Sequence, residues 1–436
     1  MNNFKTIIVN LLLFWIFLLP WQTRWIYQTN EISNHFSEST SLFVYGTEIL
    51  LGIILFLSIV YFGFSIIQQK TKSIPKRSSI LFLGGIGGIF LTSILLGPNK
   101  ELASQKTVWY IMATGFFLLL VALKPRITQI MKSFVGATII QGILAIQQFI
   151  SQEVWASKWL GMANQLPNVL GTPVIEINGE RIMRVFGSLP HPNILGGVLA
   201  VGIVFIIALL VKEKSKQWQY ILYTGLFLNT AALFMSASRS ATLALFIALF
   251  GYYIYSSNQF VSMRPILNKT LGIVVLIFVI FSIFNYNYTT ARLDETNRLE
   301  QKSVNDRVEQ YYEAWQVWGN NWLTGTGPGN YITVLTKIKP NQNVWDYQPV
   351  HNIYVIIILE FGLLIIPFLT LVWLLKNKLN LKLISIKNEN SVAFRMALLS
   401  LFVIGLFDHY LITMYVGIML GAMVLAGNVE AHKSGE

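Results

Sequence analysis

Four short polar segments interrupt a chain that is otherwise mostly apolar, and each carries an arginine or a histidine. In chain order they are residues 184–193, 236–240, 307–329 and 351–362. Arginine offers phosphate groups a permanently charged, bidentate donor fork. A histidine that is neutral near pH 7 accepts a proton from a hydroxyl. These residue types therefore suit the binding of an anionic group and the transfer of a proton.

The chain around these segments carries few charges. Of its 436 residues, 54% are hydrophobic and only 12% are charged, whereas a soluble protein carries roughly 25% charged residues. Apolar runs of about 20 residues cross a bilayer as helices, because the backbone must satisfy its own hydrogen bonds there. We therefore predict an all-α polytopic membrane protein, with residues 1–436 forming a single integral membrane domain.

About twelve transmembrane helices are predicted from the apolar runs. In chain order they lie near residues 5–20, 42–67, 78–97, 107–123, 133–150, 190–211, 220–235, 240–256, 270–285, 352–375, 391–408 and 411–428. The first run follows Lys5 and is similar to a signal peptide. The residues after it, from Pro20 to Arg24, offer no small-residue cleavage site, so we expect an uncleaved helix.

Lysine and arginine are concentrated in every second connection between these runs. Together with the chain ends, such connections hold 19 Lys and Arg against 4 acidic residues, and the remainder holds 13 against 16. The positive-inside rule makes the basic connections cytoplasmic. We expect a multi-pass protein of the cytoplasmic (inner) membrane, with extracytoplasmic loops at residues 151–189 and 286–350. The net charge of +12 then reflects orientation in the lipid bilayer, and we expect no nucleic-acid partner.

The larger loop is predicted to be partly helical. Ser303 followed by Asp306 is typical of a helix start, and residues 306–319 form an amphipathic stretch. Asn320-Asn321 and the glycine-rich turn after them are predicted to end the helix.

The residue inventory also limits the chemistry. The chain has no cysteine, which excludes disulfides, thiolate catalysis and Cys-ligated metals. It has only five histidines, and the four polar segments contain no acidic cluster with divalent-ligand spacing. We therefore predict no metal site and no cofactor.

The four segments resemble motifs of a known family. His351-Asn352, followed after nine residues by Gly362, resembles the motif of bacterial O-antigen ligases. Ser238-Arg239 resembles their arginine at the mouth of a helix pair.

Arg307 with Gly325-Thr-Gly327 resembles the large loop of the wider O-antigen ligase and polymerase superfamily. The resemblance covers residues 130–428. Tyr311 and Ile365 depart from the family pattern at positions that bear on the ligase subtype.

The resemblance implies a GT-C-like membrane glycosyltransferase that needs neither a nucleotide sugar nor a metal. Such enzymes move a glycan from an undecaprenyl-pyrophosphate carrier to a hydroxyl of a lipid or glycan acceptor. On this basis Arg239 and Arg307 are expected to bind the diphosphate. His351 is expected to act as the base or to position the acceptor. Further substrate-binding candidates are Arg184, Asn193, Gly325, Gly327, Asn352 and Glu360.

Each candidate also has a structural alternative. Arg239 is compatible with an interfacial arginine that extends to water, and Arg307 with a solvated helix face. His191 is more typical of a turn, and Asn193 of a helix cap. Glu360, well inside the tenth predicted span, is either functional or paired with an arginine.

For His351 the alternative is a helix-start residue at a wet interface. For the glycines of residues 325–329 it is turn geometry. The pair Asp408-His409 is interpreted as a polar pair at the lipid interface.

Three classes of function remain open at this point. A lipid-linked glycan transferase would be a ligase, a polymerase or a protein O-glycosylating enzyme. A polysaccharide or lipid transporter, or flippase, is the alternative, but it should place polar residues in broken helices at the midplane, and the predicted spans are mostly uninterrupted. A purely structural membrane subunit would leave the arginine and histidine segments unexplained.

Overall fold

A computed structural model describes residues 2–69, 94–259, 264–292, 294, 296–366, 370 and 389–433. Its α-helices are α1 Asn2–Leu18, α2 Gly46–Gln69, α3 Lys100–Leu123, α4 Ile127–Ser151, α5 Pro192–Lys212, α6 Lys216–Met235, α7 Arg239–Gln259, α8 Arg264–Phe284, α9 Tyr286–Ala291, α10 Arg298–Asn321, α11 Tyr331–Ile338, α12 Ile353–Phe361, α13 Glu389–Gly405, α14 Tyr410–Thr413 and α15 Tyr415–Lys433. The strands are β1 Arg24–Gln28, β2 Glu31–Ile32, β3 His35–Phe36, β4 Leu42–Tyr45, β5 Val174–Ile177 and β6 Glu180–Met183.

The described helices include five that are long and apolar enough to cross a membrane. They are α3, α4, α5, α8 and the part Gly46–Gly63 of α2. Shorter apolar stretches lie in α1, α7, α12, α13 and α15. The chain is thus a largely helical, multi-pass membrane protein. The predicted span 78–97 lies mostly outside the described residues. The predicted span 352–375 is described only as far as Ile366 and at residue 370.

Helix α5 is the centre of the bundle. It is the most apolar of these helices, and almost all of it is buried by neighbouring helices, as expected for a helix that is hydrophobic on every side. Helices α4, α6, α7 and α13 surround it. Gly197 allows the Tyr410 hydroxyl to approach the backbone of α5, because a Cβ at this position would overlap it. The start of α5 is therefore held firmly beside the α13–α14 connection.

Among the described residues, three two-stranded antiparallel sheets interrupt the helical architecture. They pair β1 with β4, β2 with β3, and β5 with β6. The prediction of a helix from residue 42 is wrong, because Leu42–Tyr45 pairs with β1, and α2 begins only at Gly46. The Gly46 N–H donates to the Thr23 carbonyl, which joins the start of α2 to the residue before β1. An apolar strand that runs directly into an apolar helix gives one uninterrupted hydrophobic segment in the sequence.

The segment 286–350 contains the predicted helix, but its start differs. Helix α10 begins at Arg298, where the Asn297 side chain accepts a hydrogen bond from Leu299 N, so the predicted start at Ser303 is wrong. It ends at Asn321, as predicted. Ala314 and Val317 of α10 pack with α11 and α12 in a small core of their own, so the segment is ordered against the helices.

Helix α12 is short and ends abruptly. Asn352 caps its start by accepting from Tyr354 N and Val355 N. It ends at Phe361, and Gly362 adopts a left-handed φ of 61° before a 3₁₀ turn over Gly362–Leu364.

The glycine-rich turn packs against this break. Thr326 N donates to Leu359 O and Gly327 N to Glu360 O, both at 2.9 Å. A Cβ at Gly325, whose φ is +73°, would overlap the Glu360 backbone. The turn therefore supplies hydrogen bonds to carbonyls that the interrupted helix leaves free.

Candidate functional site

The polar segments converge at one end of the helix bundle. The elements that meet there are the starts of α5, α7 and α12, the middle of α10, and the α13–α14 connection. Their side chains form two adjoining groups, one built on arginines and the other on histidines.

Arg184 is buried and links these two groups. Its Nε donates to Ser236 O at 2.8 Å, and its terminal nitrogen donates to Asn193 Oδ1 at 2.6 Å. Burial lowers the pKa of Arg184 to about 9, and the nearby positive charge of Arg292 adds to this shift. Arg184 thus fixes the α6–α7 turn to the start of α5.

His191, and not Asn193, caps helix α5. Its Nδ1 accepts from Asn193 N at 3.1 Å, so the structural alternative proposed for Asn193 is wrong. Burial, reinforced by the charge of Arg184, lowers the pKa of His191 to about 3. The Asn193 side chain instead bridges Arg184 to Asp408, donating from Nδ2 to Asp408 Oδ2 at 2.8 Å.

Glu300 lies between two arginines. Arg239 forms an ion pair with its carboxylate at 3.1 Å, and Arg292 contacts the other carboxylate oxygen. Arg292 also donates to Ala237 O in the α6–α7 turn, at 3.0 Å. Arg292 and Glu300 were not predicted, because each is an isolated charge in a charged loop and no spacing in the sequence distinguishes it.

Arg307 lies on α10 between the arginine group and the histidine group. Its charge acts electrostatically on both Arg239 and His351. Among the described residues, no hydrogen bond or ion pair engages its guanidinium. Arg307 is therefore a cation without a carboxylate partner in this part of the chain, next to a histidine.

His351 is half-buried at the start of α12. Its Nδ1 lies 2.8 Å from Gln310 Oε1 of α10. An amide oxygen only accepts, so Nδ1 carries the proton and Nε2 of the neutral ring has a free lone pair. Burial lowers the pKa of His351; the Asp408 carboxylate opposes this shift and the Arg307 charge adds to it. The ring is thus neutral and able to accept a proton at ordinary pH.

The pair Asp408-His409 belongs to the same group, although the sequence interpretation placed it at the lipid interface. Asp408 is only 4% exposed, and the rings of His351 and His409 lie 5.2 Å apart. Burial, with His351 nearby, lowers the pKa of His409 to about 4. Asp408 is the last residue of the predicted span 391–408, a position at which sequence alone suggests contact with lipid.

A cavity of about 360 Å³ lies in front of these residues. Its charged and titratable lining includes Glu38, Lys106, His191, His351, Glu360, Asp408 and His409. Lys106 Nζ donates to Thr413 O at 2.8 Å and stacks over the Trp109 ring at 4.0 Å. Glu360 is buried, and the Gly329 backbone N–H faces its carboxylate.

A larger, apolar cavity of about 540 Å³ lies elsewhere, between α7 and α8. Its lining is mostly aliphatic and aromatic, whereas the titratable residues described above line the smaller cavity.

Comparison with known families identifies this region. Residues 224–370 match the family model of O-antigen ligase. The matched segment, about a third of the chain, is similar to O-antigen ligase. The predicted resemblance to the O-antigen ligase and polymerase superfamily is thereby confirmed. A comparison with curated proteins gives no match.

The matched segment contains Arg239, Arg307 and His351, with Arg292 and Glu300 between the two arginines. Arg184, Asn193 and Asp408 lie outside the matched residues but are hydrogen-bonded or close to residues within it. A site built around the matched segment therefore also uses residues that precede and follow it in the sequence.

Three of the other predicted site residues make contacts that need no ligand. Asn352 caps α12, and its Nδ2 lies 3.4 Å from the Tyr311 hydroxyl. Gly325 and Gly327 pack on the end of α12. Their roles in substrate binding stay predictions, as do those of the remaining candidates.

Proposed function

We propose that the protein is a membrane glycosyltransferase of the O-antigen ligase or polymerase type. It transfers a glycan from an undecaprenyl-pyrophosphate carrier to a hydroxyl of a lipid or glycan acceptor. The reaction takes place at the outer face of the cytoplasmic membrane, in a GT-C-like fold of about twelve spans. The match to O-antigen ligase supports the general class, and the excess of positive charge in alternate connections supports the orientation.

The observation that carries the proposal is the position of Arg307. A guanidinium without an acidic partner in the described chain lies within electrostatic reach of a second arginine and of a neutral histidine. A diphosphate leaving group gains negative charge as its bond to the sugar breaks, and fixed guanidinium groups stabilise that charge. Arg239 and Arg307 bind the diphosphate in this proposal.

His351 supplies the base. The acceptor oxygen forms a bond to the anomeric carbon of the glycan, and the carbon–oxygen bond to the diphosphate breaks. The carrier diphosphate leaves with the electron pair, and the acceptor proton moves to Nε2 of His351. The hydrogen bond from Nδ1 to Gln310 supports this role, because it orients the ring and leaves Nε2 unprotonated.

The remaining candidates bind or position the substrate. Arg184 and Asn193 hold the start of α5 beside the histidines. Glu360 lines the cavity and is suited to accept a hydrogen bond from a sugar hydroxyl. Asn352, Gly325 and Gly327 shape the wall at the start and the end of α12.

Two extracytoplasmic loops, 151–189 and 286–350, place these residues on the outer side in this proposal. A reporter enzyme that is active only outside the cytoplasm, fused after Asn343, should be active. Activity of a second reporter enzyme, one that is active only in the cytoplasm, at the same fusion point would contradict both the orientation and the location of the site.

The function itself is tested with purified protein, lipid-linked glycan donor and candidate acceptors in proteoliposomes. We expect glycan transfer with release of carrier diphosphate. In cells, deletion should cause lipid-linked glycan to accumulate. Full-length glycan would indicate a ligase, single repeat units a polymerase, and loss of glycan from proteins an O-glycosylating enzyme.

One observation favours a second candidate function, a polysaccharide or lipid transporter. Helix α12 is interrupted at Gly362, two residues after the buried Glu360, and transporters use broken helices of this kind at their binding sites. Proteoliposomes distinguish the two functions: a transporter would move the lipid-linked glycan between leaflets without forming a new glycosidic bond.

A further inference from the structure

His351, Asp408 and His409 form a compact triad in the lining of the polar cavity. One ring nitrogen of each histidine and one carboxylate oxygen lie within 4.8 Å of one another. The three residues come from the start of α12 and from the α13–α14 connection. Zinc is bound at about 2.0–2.2 Å by nitrogen and oxygen ligands, so these three atoms would have to move closer together around a single ion.

The hydrogen bonds of His351 and His409 both engage Nδ1, which leaves Nε2 of each ring available to bind a metal. Nδ1 of His351 donates to Gln310 Oε1. Nδ1 of His409 lies 2.7 Å from the Thr413 hydroxyl, and that hydroxyl donates its own proton to the His409 carbonyl. The Thr413 oxygen therefore accepts from His409 Nδ1. Both neutral rings are left with an unprotonated Nε2, the form in which imidazole binds metals.

Asp408 completes the set with a buried anionic oxygen. Its carboxylate accepts from Asn193 Nδ2 and from His409 N, which fixes its orientation. Within the described residues no ion pair neutralises it.

His191 lines the same cavity but has the opposite hydrogen-bonding pattern. Its Nδ1 accepts from a backbone N–H, so its Nε2 carries the proton. It is therefore not available as a ligand in this tautomer, and the set is limited to two nitrogens and one oxygen.

We propose that His351, Asp408 and His409 bind one Zn²⁺ ion through two imidazole nitrogens and one carboxylate oxygen, and that the bound ion inhibits glycan transfer. Two imidazoles with a carboxylate are a typical zinc ligand set, whereas Mg²⁺ and Ca²⁺ favour all-oxygen sites. The hydrogen bonds to Gln310, Thr413 and Asn193 are the outer contacts that orient such ligands.

The inhibition of glycan transfer rests on the proposed function, whereas the binding of zinc does not depend on it. Zn²⁺ occupies the Nε2 lone pair with which His351 would accept the acceptor proton. It also places a dication where a sugar hydroxyl would enter. The protein would then be active without metal and inhibited by zinc.

Binding is measured first, on the full-length protein in detergent after EDTA treatment and dialysis. In competition with a chromophoric zinc chelator, we expect one Zn²⁺ per chain and no binding of Mg²⁺. His409→Gln should weaken binding by at least about 10-fold, and Gln310→Ala by about 10- to 100-fold, the usual effect of losing an outer contact. His35→Gln changes a histidine outside the triad and should bind zinc like the wild type.

Zinc X-ray absorption of the wild type gives a test that depends on no variant. Two imidazoles and oxygen ligands around one zinc are expected. Absence of stoichiometric zinc, or the same affinity in wild type and His409→Gln, would overturn the site.

Transfer assays then test inhibition. Zn²⁺ should inhibit the wild type reversibly, with EDTA restoring activity, and His409→Gln should require more zinc for the same inhibition. Zinc bound at the triad with undiminished transfer would refute inhibition and exclude His351 as the base. Failure to detect transfer under any condition would count against the proposed function while the binding result stood.

Discussion

The side-chain amide of Asn193 donates a 2.8 Å hydrogen bond to the carboxylate of Asp408. This bond joins the start of the most buried helix to the connection that carries His409, and through Arg184 it continues to the α6–α7 turn. The histidine group and the arginine group are therefore parts of one hydrogen-bonded unit.

Loss of this bridge should affect both groups. Asn193→Ala leaves a buried carboxylate and a buried guanidinium each short of one partner, which costs about 1–3 kcal/mol per unsatisfied group. We expect a lower melting temperature in detergent and reduced transfer. Asn343→Ala is the matched control, because Asn343 is exposed and bonds only Asp346 in the described chain. A melting temperature equal to that of the control would contradict the bridging role.

Replacement of the two diphosphate-binding arginines should abolish transfer. Arg239→Ala and Arg307→Ala should insert and accumulate normally but show little or no glycan transfer. Lysine should restore activity only in part, since it lacks the planar fork.

The control lies on the same helix as Arg307. Arg298 forms an exposed ion pair with Glu176, at 2.8 Å and with a side chain that is 75% exposed. Such pairs contribute only about 0–1 kcal/mol, so Arg298→Ala should transfer glycan at nearly the wild-type rate. Near-normal transfer by Arg307→Ala as well would remove Arg307 from the site.

His351→Gln should slow transfer without unfolding the protein. Glutamine keeps the size of the side chain and its hydrogen bonding but does not accept the acceptor proton. The expected loss in rate is about 10²–10⁴-fold, the usual contribution of general acid–base catalysis. The measurement compares initial rates with one donor and one acceptor, with His35→Gln as control. Equal rates in both variants would make His351 a structural residue at the start of α12.

Transfer should not depend on a divalent metal. In the proposed reaction the leaving diphosphate is stabilised by guanidinium groups, so chelation removes nothing that the chemistry needs. Purified protein in EDTA should retain full activity. Activity lost on chelation and restored by Mg²⁺ or Mn²⁺ would contradict this and would direct attention to Asp306, Glu309 and Glu313 on α10.

The sequence predicted the parts of the fold and the site that depend on local patterns. Apolar runs predicted a multi-pass helical membrane protein, which the five long apolar helices of the described chain support, whereas the roles of Arg239, Arg307 and His351, drawn from short motifs, stay predictions. The end of α10 at Asn321 was also predicted. These features are encoded by neighbouring residues, so a single sequence is enough to recognise them.

Features that depend on distant contacts were missed. Asp408 follows His351 by 57 positions, and no spacing indicates that the two meet. The strand at Leu42–Tyr45 is hidden because its apolar residues continue into α2. Asn297 caps α10 although Ser303 and Asp306 have the more typical pattern, since cap choice depends on where the chain turns away from β5 and β6.

Glu300 gives the protein a counter-ion of its own. Folding brings Arg239 and Arg292 together at a position where Glu300 is only 6% exposed to water, and two unneutralised cations there would repel each other. The shared carboxylate offsets that repulsion, so a residue of the chain itself holds the two arginines together. Recruiting an anion from outside the chain is not needed for this end of the bundle to fold.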